Sequence, residues 1–184
     1  FVISGNHDSA LRLSYFSSLV KTAGVYVSET FDGHLQHVEL QDGDGDVVIW
    51  LLPFLRPSQV KRYLPEEKIR TYQDAVAAVL RNTHIDPSKR NVLLCHQFII
   101  GSTVCDSEEH AVGGLDQIEA SLFDAFDYVA LGHIHRPQRL LRDTLRYAGS
   151  PLKYSFSEYD HKKSVPVVEL LEKAIREDTQ IVAV

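Results

Sequence analysis

The stretch Tyr128–His135 reads YVALGHIH, an apolar run that leads into a glycine and two histidines one residue apart. The run predicts a buried strand, and the glycine after it lets the chain bend without a Cβ clash. His133 and His135 are then expected to project side by side beyond the carboxyl end of that strand. Imidazole is a common protein ligand of transition metals, so the pair indicates half of a metal site.

Two other apolar runs end in polar side chains in the same way. Phe1–Ser4 is followed, after one glycine, by Asn6 and His7, and Asn91–Cys95 is followed by His96. In open α/β sheets, ligands gather beyond the carboxyl ends of the strands. We therefore expect these three side chains to converge with the two histidines of the first stretch.

Each histidine also has a structural interpretation, because a lone histidine after a strand is more often a hydrogen-bonded residue than a ligand. That interpretation is kept for five histidines, namely His34, His37, His84, His110 and His161. The structural interpretation explains the strand-end group, namely Asn6, His7, His96, His133 and His135, less well. It would require that polar residues without a shared function occur at all three strand ends.

Three segments have the residue spacing of helices. Apolar residues recur at helical spacing over 9–23, where Asp8 or Ser9 is expected to cap the helix, and over 71–84. Asp116 is expected to cap a short helix that continues through Phe123.

The remaining regular structure is predicted to be strand. A hairpin is predicted over 34–52 around an aspartate- and glycine-rich turn, and Pro53 and Pro57 interrupt the chain after it. A long polar loop is expected at 97–114. Antiparallel strands are expected at 145–148, 164–171 and 180–184. The order of elements predicts an α/β fold with layered, mixed sheets flanked by helices.

Composition fits one ordinary globular domain. The chain has 184 residues, 44% of them hydrophobic, and a formal net charge of −6. The negative charge argues against a broad basic face for nucleic acid but not against phosphate binding through metal ions. No apolar run reaches membrane-spanning length, so we expect no membrane association. Cys95 and Cys105 lack CxxC spacing, which favours free thiols and a reducing cytoplasm.

Several motifs together resemble a known superfamily. GNHD at 5–8, a strand ending in His96 and GHIH at 132–135 resemble, in this order, the third to fifth blocks of the calcineurin-like metallophosphoesterases. More narrowly, HQF at 96–98, CDSEE at 105–109, GHIHRPQ at 132–138 and GSPLKYSFSE at 149–158 resemble the SbcD family of DNA exonuclease subunits. The resemblance covers nearly the whole chain and implies that residues 1–184 form a partial nuclease domain.

The resemblance also implies a role for each strand-end residue. Asn6, His96 and His133 would bind one metal ion and His135 a second, with Mn²⁺ as the favoured ion of a two-metal centre. His7 would not be a ligand but would face the scissile phosphate and protonate the leaving oxygen.

Two further blocks implied by the resemblance, Asp-x-His and Gly-Asp-x-x-Asp, would lie upstream of Phe1. We therefore expect an amino-terminally truncated domain whose first strands and remaining ligands are missing, with no readable capping domain. The chain by itself is expected to be inactive.

The substrate and partners follow from the resemblance as well. DNA would be the substrate, with Arg136 and Lys153 close enough to contact its backbone, although a solvated charged edge explains these residues equally well. An SbcC-type ATPase would be the partner. A homodimer would form through the helix at 9–23, where Phe16, Leu19 and Val20 would lie in the interface.

Two alternatives remain open from the sequence. Another metallophosphoesterase, acting on small phosphodiesters or phosphoproteins, would share the ligands but has no need of the 149–158 motif. Alternatively, the chain is a non-catalytic fragment that acts only in association with itself or a partner.

Overall fold

The computed structural model describes residues 1–106, 108, 116–173 and 181–183. The predicted α/β fold is confirmed: the centre is a six-stranded mixed sheet, and a few short helices flank it. The strands in chain order are β1 (Gln36–Asp42), β2 (Gly45–Leu52), β3 (Arg90–His96), β4 (Phe98–Ile99), β5 (Gln117–Ile118), β6 (Tyr128–Gly132), β7 (Gln138–Leu140), β8 (Arg142–Tyr147), β9 (Pro166–Val168) and β10 (Ile181–Ala183).

The main sheet has the order β1-β2-β3-β6-β8-β7. Its four inner strands are parallel, and β1 and β7 run antiparallel at the two edges. The predicted hairpin of β1 and β2 is confirmed. The carboxyl ends of β3 and β6 are therefore neighbours, and the register pairs His96 with Gly132.

Both faces of the sheet are apolar, which is why its central strands are nearly continuous hydrophobic runs. Val48, Trp50 and Leu52 of β2 lie in the larger core cluster, together with residues of the helices. The alternate residues Val47, Ile49 and Leu51 lie in a smaller cluster on the opposite face. Because successive side chains of a strand point to opposite faces of the sheet, β2 contributes side chains to both core clusters.

The helices that cover the larger core are α3 (Pro57–Tyr63) and α4 (Tyr72–Arg81). Helix α4 matches the prediction over 71–84, with Thr71 and Asp74 forming a reciprocal capping box. Helix α3 is not predicted by the sequence pattern, in which Pro57 indicates only an interruption. In fact Pro57 occupies the first turn of the helix, where its missing N–H is not needed.

The prediction for Phe1–Ser4 was wrong in part. The segment is not a buried strand of the main sheet: it forms a single parallel bridge between Val2 and Val27, and Phe1 and Val2 are exposed. Only Ser4 is buried, and its carbonyl accepts a hydrogen bond from the Phe54 N–H at 2.9 Å. Backbone pairing on both sides still fixes the position of the turn that follows.

The predicted helix at 9–23 is interrupted. It consists of α1 (Ala10–Leu13), a 3₁₀ turn (Ser14–Phe16) and α2 (Ser17–Lys21). The side chain of Ser9 caps α1, as expected for one of the two candidate residues. None of the residues 10–21, all of which the structure describes, is buried.

The antiparallel strands expected in the last third of the chain are confirmed in part. Strand β8 pairs antiparallel with β7 and parallel with β6, and β9 and β10 pair antiparallel. Asp116 does not cap a helix, because the 3₁₀ helix Ala120–Phe123 begins after Glu119 and has no side-chain cap. Most of the predicted loop beyond Asp106, including His110, lies outside the described residues. Across the part of the chain that the structure describes, no helix is long and apolar enough to cross a membrane.

Candidate metal centre

Three of the predicted ligands meet beyond the ends of β3 and β6. Asn6 Oδ1 lies 2.9 Å from His96 Nε2 and 3.4 Å from His133 Nδ1. The three residues line a pocket of about 200 Å³ together with His7 and His135. The structure therefore brings together all five residues predicted from the strand ends.

Glycines make this close approach possible. A Cβ on Gly5 would lie 2.7 Å from His96 Cε1, and one on Gly132 would lie 2.9 Å from His96 Nδ1. No real Cβ sits so close to another heavy atom without displacing it. The ring of His96 is thus held between two glycine backbones, in space that a side chain would otherwise fill.

The backbone around the histidines is also fixed by packing. His133 has a φ of 100°, which a non-glycine residue rarely adopts. Its ring centroid lies 5.3 Å from that of His96 and 5.9 Å from that of Phe98. The residues after His96 are held by Tyr147 of β8, whose hydroxyl donates to the Gln97 carbonyl at 2.7 Å.

Burial keeps the two central imidazoles neutral. Burial, helped by the neighbouring His133, lowers the pKa of His96 to about 4. Burial likewise lowers the pKa of His133, against the opposing influence of Asp116 and Glu108. A metal ion requires the unprotonated imidazole, so both rings are in the form that can bind one at neutral pH.

The donor set fits a divalent ion of the first transition series. Asn6 Oδ1 is within hydrogen-bond distance of both imidazole nitrogens, and donors this close together could bind one ion at about 2.1 Å each. One amide oxygen and two imidazole nitrogens suit Mn²⁺, Fe²⁺ or Zn²⁺.

His135 lies in the same pocket but has different partners. Its Nδ1 is 3.0 Å from Oε1 of Glu158, a carboxylate with no exposed surface. Its backbone N–H donates to Glu108, whose other oxygen accepts from the Cys105 N–H at 2.6 Å. Lys163 donates to Glu158 Oε2 at 2.6 Å and to the carbonyl of His135 at 2.8 Å.

Sequence reasoning does not single out Glu108, Glu158 and Lys163. The first two stand inside the motifs at 105–109 and 149–158, which carry the family resemblance but do not by themselves indicate what their carboxylates contact. Ligand atoms of Cys105, Glu108 and His135 lie within 4.8 Å of one another, a group that could also hold a metal ion.

His7 is exposed at the mouth of the pocket, next to Asn6. The neighbouring Asp8 caps the turn and not the helix, since its Oδ2 accepts the Gly5 N–H at 2.6 Å. An exposed imidazole beside the predicted ligands is accessible to a molecule bound over the pocket.

The two predicted substrate contacts lie outside this pocket. Arg136 is 3.4 Å from Asp160, and Lys153 donates to the Tyr159 carbonyl at 2.5 Å. Both side chains contact residues of the 149–163 segment, namely Asp160 and Tyr159.

Comparison with known proteins agrees with the motifs. The chain is similar to the SbcD subunit of the nuclease SbcCD from Staphylococcus epidermidis, with 33% identity over 181 residues. The similar region is 97% of this chain and 47% of that protein, so the chain spans about half of the length of this curated relative. No protein-family model matches the chain. The resemblance to SbcD subunits drawn from the sequence motifs is confirmed.

Proposed function

We propose that this SbcD-like chain carries part of the active centre of a metal-dependent DNA nuclease. The observation that carries the proposal is the convergence of Asn6, His96 and His133 at metal-ligand spacing, in a chain that is similar to a nuclease subunit over nearly its whole length. We propose the activity for the whole protein, because the chain spans about half of the length of that relative.

In the proposed phosphodiester hydrolysis, metal ions and side chains have different roles. Two divalent metals, for which we propose Mn²⁺, would supply an acidified water when bound and would offset the charge of the phosphate. Asn6, His96 and His133 would hold one of them, and His135 would hold the other. Asn6, His96 and His133 are neutral ligands, so they add no negative charge that would repel an anionic phosphodiester.

His7 has a separate role in the proposal. It is exposed beside Asn6, within the same pocket, and is therefore placed to meet a bound phosphodiester. A protonated imidazole there would donate its proton to the leaving oxygen, a contribution that is typically about 10²–10⁴-fold in rate.

The proposed roles are tested by a pair of substitutions in the whole protein. His7→Ala should retain bound Mn²⁺ and lose turnover by about 10²–10⁴-fold on linear duplex DNA. His96→Ala should lose the metal itself. Elemental analysis and a nuclease assay on the same preparations separate the two, and loss of metal from His7→Ala would contradict the role of that residue.

The substrate distinguishes the proposal from its main alternative. A DNA nuclease should digest linear duplex in preference to a small chromogenic phosphodiester, whereas a general phosphoesterase should favour the small compound. Arg136 and Lys153 are proposed to contact the DNA backbone from the edge of the pocket. Substituting both with glutamine should then weaken DNA binding and its salt dependence without changing hydrolysis of the small diester.

A homodimer through the segment 9–23 is also proposed. Leu11, Phe16 and Leu19 have 60–68% of their surfaces exposed, and none of the residues 10–21 is buried. Several exposed apolar side chains on one short segment are typical of an interaction surface. Leu19→Glu should convert a dimer to a monomer in solution. The matched control is Leu141→Glu, at an apolar residue that is 91% exposed on a turn outside this segment. A monomeric wild type would contradict the proposal.

The proposal also includes a protein partner and a cellular location. The relative is a subunit of the nuclease SbcCD. We propose an SbcC-type ATPase as partner and the cytoplasm as location, where the buried thiol of Cys95 would stay reduced. Co-purification with that ATPase tests the first point.

A further inference from the structure

We propose that Glu158, charge-balanced by Lys163, is a positioning residue that fixes the proton of His135 on Nδ1 and leaves the lone pair on Nε2. The significance of Nε2 as a metal ligand rests on the proposed function. The assignment of the proton does not, because it follows from contacts within the described structure.

The carboxylate of Glu158 lies in an unusual position for an acidic group. It has no exposed surface, yet it stands at the carboxyl edge of the sheet among polar groups. Its Oε1 lies 3.0 Å from His135 Nδ1, and its Oε2 lies 2.6 Å from Lys163 Nζ and 3.4 Å from Ser150 Oγ. A buried charge of this kind is tolerated only when it is paired and hydrogen-bonded.

Lys163 supplies that pairing, with only 12% of its side chain exposed. The ammonium keeps Glu158 in its ionised form, and an ionised carboxylate can only accept hydrogen bonds. The nitrogen of His135 that faces it at 3.0 Å must therefore be the protonated one. In a neutral imidazole, the other nitrogen then carries the lone pair.

The same lysine also holds the backbone of the histidine. Its Nζ donates to the His135 carbonyl at 2.8 Å and to Ser150 Oγ at 2.7 Å, while the Ser150 N–H donates to that carbonyl at 3.1 Å. Gly149 allows this approach, because a Cβ there would lie 2.8 Å from the same carbonyl oxygen. Ring and backbone of His135 are thus held by one unit, formed by Ser150, Glu158 and Lys163.

A carboxylate that orients a metal-binding histidine in this way raises its basicity and fixes its ring. A purely structural role for the ion pair would instead mean only that it anchors the 149–163 segment to the sheet. The two roles differ in what should happen when the pair is replaced by apolar side chains of similar size.

The first test is direct and uses the wild-type chain of 184 residues. Long-range ¹H–¹⁵N NMR of the imidazoles at mildly alkaline pH reports which ring nitrogen carries the proton, and His135→Gln assigns the signals. We expect His135 to be protonated on Nδ1. Protonation on Nε2, or rapid averaging between the two forms, would overturn the proposal.

The second test separates positioning from stability. Glu158→Met combined with Lys163→Met removes both charges together, a change that buried ion pairs often tolerate without loss of the fold. The double variant should show an averaged His135 tautomer and, in the whole protein, an affinity for Mn²⁺ about 10–100-fold lower. Its matched control is Arg81→Met combined with Glu67→Met, which removes a surface ion pair with the same 2.6 Å separation and should change neither.

The outcomes distinguish the positioning role from the proposed function. If the wild-type protein binds no Mn²⁺, the proposed function fails while the tautomer of His135 still decides the positioning role. If the double methionine variant keeps the wild-type tautomer and the wild-type affinity, the positioning role fails while the metal centre stands.

Discussion

The two histidines of the GHIH stretch are separated by one residue and have different surroundings. His133 faces Asn6 and His96, which are neutral and half-buried, and its ring packs against those of His96 and Phe98. His135 faces Glu158, which is buried with Lys163. One side of the pocket therefore consists of neutral donors, and the other consists of a compensated charge.

This difference shows two ways to keep a histidine ready for a metal. On the His133 side, burial itself lowers the pKa of the ring, so no charged neighbour is required. On the His135 side, a carboxylate fixes the proton on one nitrogen, and a lysine offsets the cost of burying that carboxylate. On the His133 side, a lower pH or an added side-chain atom should reduce the stability of the fold. On the His135 side, stability should fall when one member of the ion pair is removed.

The largest expected effect is on the charged side. Glu158→Ala leaves the buried ammonium of Lys163 without its carboxylate, and breaking a buried pair in this way costs about 3–5 kcal/mol of the free energy of unfolding. Urea denaturation measures the loss. Asp160→Ala, which removes the exposed partner of Arg136 two residues away, should cost less than about 1 kcal/mol. Equal losses from the two variants would mean that Glu158 is not a buried ionised group.

The neutral side of the pocket should make the free energy of unfolding depend on pH. The pKa of His96 is about 4 in the folded protein and near 6.5 when unfolded, so the unfolded chain takes up the proton first as the pH falls. Stability from this residue is complete above pH 6.5 and is lost as the pH falls towards 4, by roughly 2–3 kcal/mol.

The matched measurement compares the wild type with His96→Gln, which cannot take up that proton. The free energy of unfolding of the variant should fall less steeply between the two pH values. Parallel curves for the two proteins would contradict a neutral, buried His96.

The close packing of the neutral side is tested by one added methyl group. Gly5→Ala places a Cβ 2.7 Å from His96 Cε1, so the ring must move, and overpacking of this kind costs about 1–3 kcal/mol. Gly43→Ala is the control, since a Cβ at that residue meets nothing within 4 Å. Thermal unfolding of both variants checks the expectation, and an unchanged Gly5→Ala would mean that His96 is not confined.

The fold could be predicted where hydrophobic runs have one interpretation. β2, β3, β6 and α4 follow from their apolar residues and their caps, and the strand-end group follows from the rule for carboxyl ends. Phe1–Ser4 has the composition of a buried strand but forms only a single bridge, through Val2, and one further backbone hydrogen bond, through Ser4, because its neighbours in space are not readable from local sequence. Likewise, local sequence does not show that β8 lies between β6, to which it is parallel, and β7, to which it is antiparallel.

The candidate site could be predicted only in its neutral half. His96 ends β3, His133 follows β6 and Asn6 follows the extended segment Phe1–Ser4, so sequence position implies spatial position for all three. Glu158 and Lys163 approach His135 from a segment with little regular structure, and their partners depend on how that segment folds back over the sheet. Polar residues of such a segment give no periodic signal, so their role is visible only through distances.

The metal centre itself is tested by Mn²⁺ binding to the 184-residue chain, measured by titration calorimetry and checked by elemental analysis. Asn6→Ala and His96→Ala should each weaken the binding at least about tenfold, because each removes a donor from the group around Asn6 Oδ1. His37→Ala, at a histidine that packs on Trp50 outside the pocket, should bind as the wild type does. Binding that is unchanged in His96→Ala would contradict the metal centre.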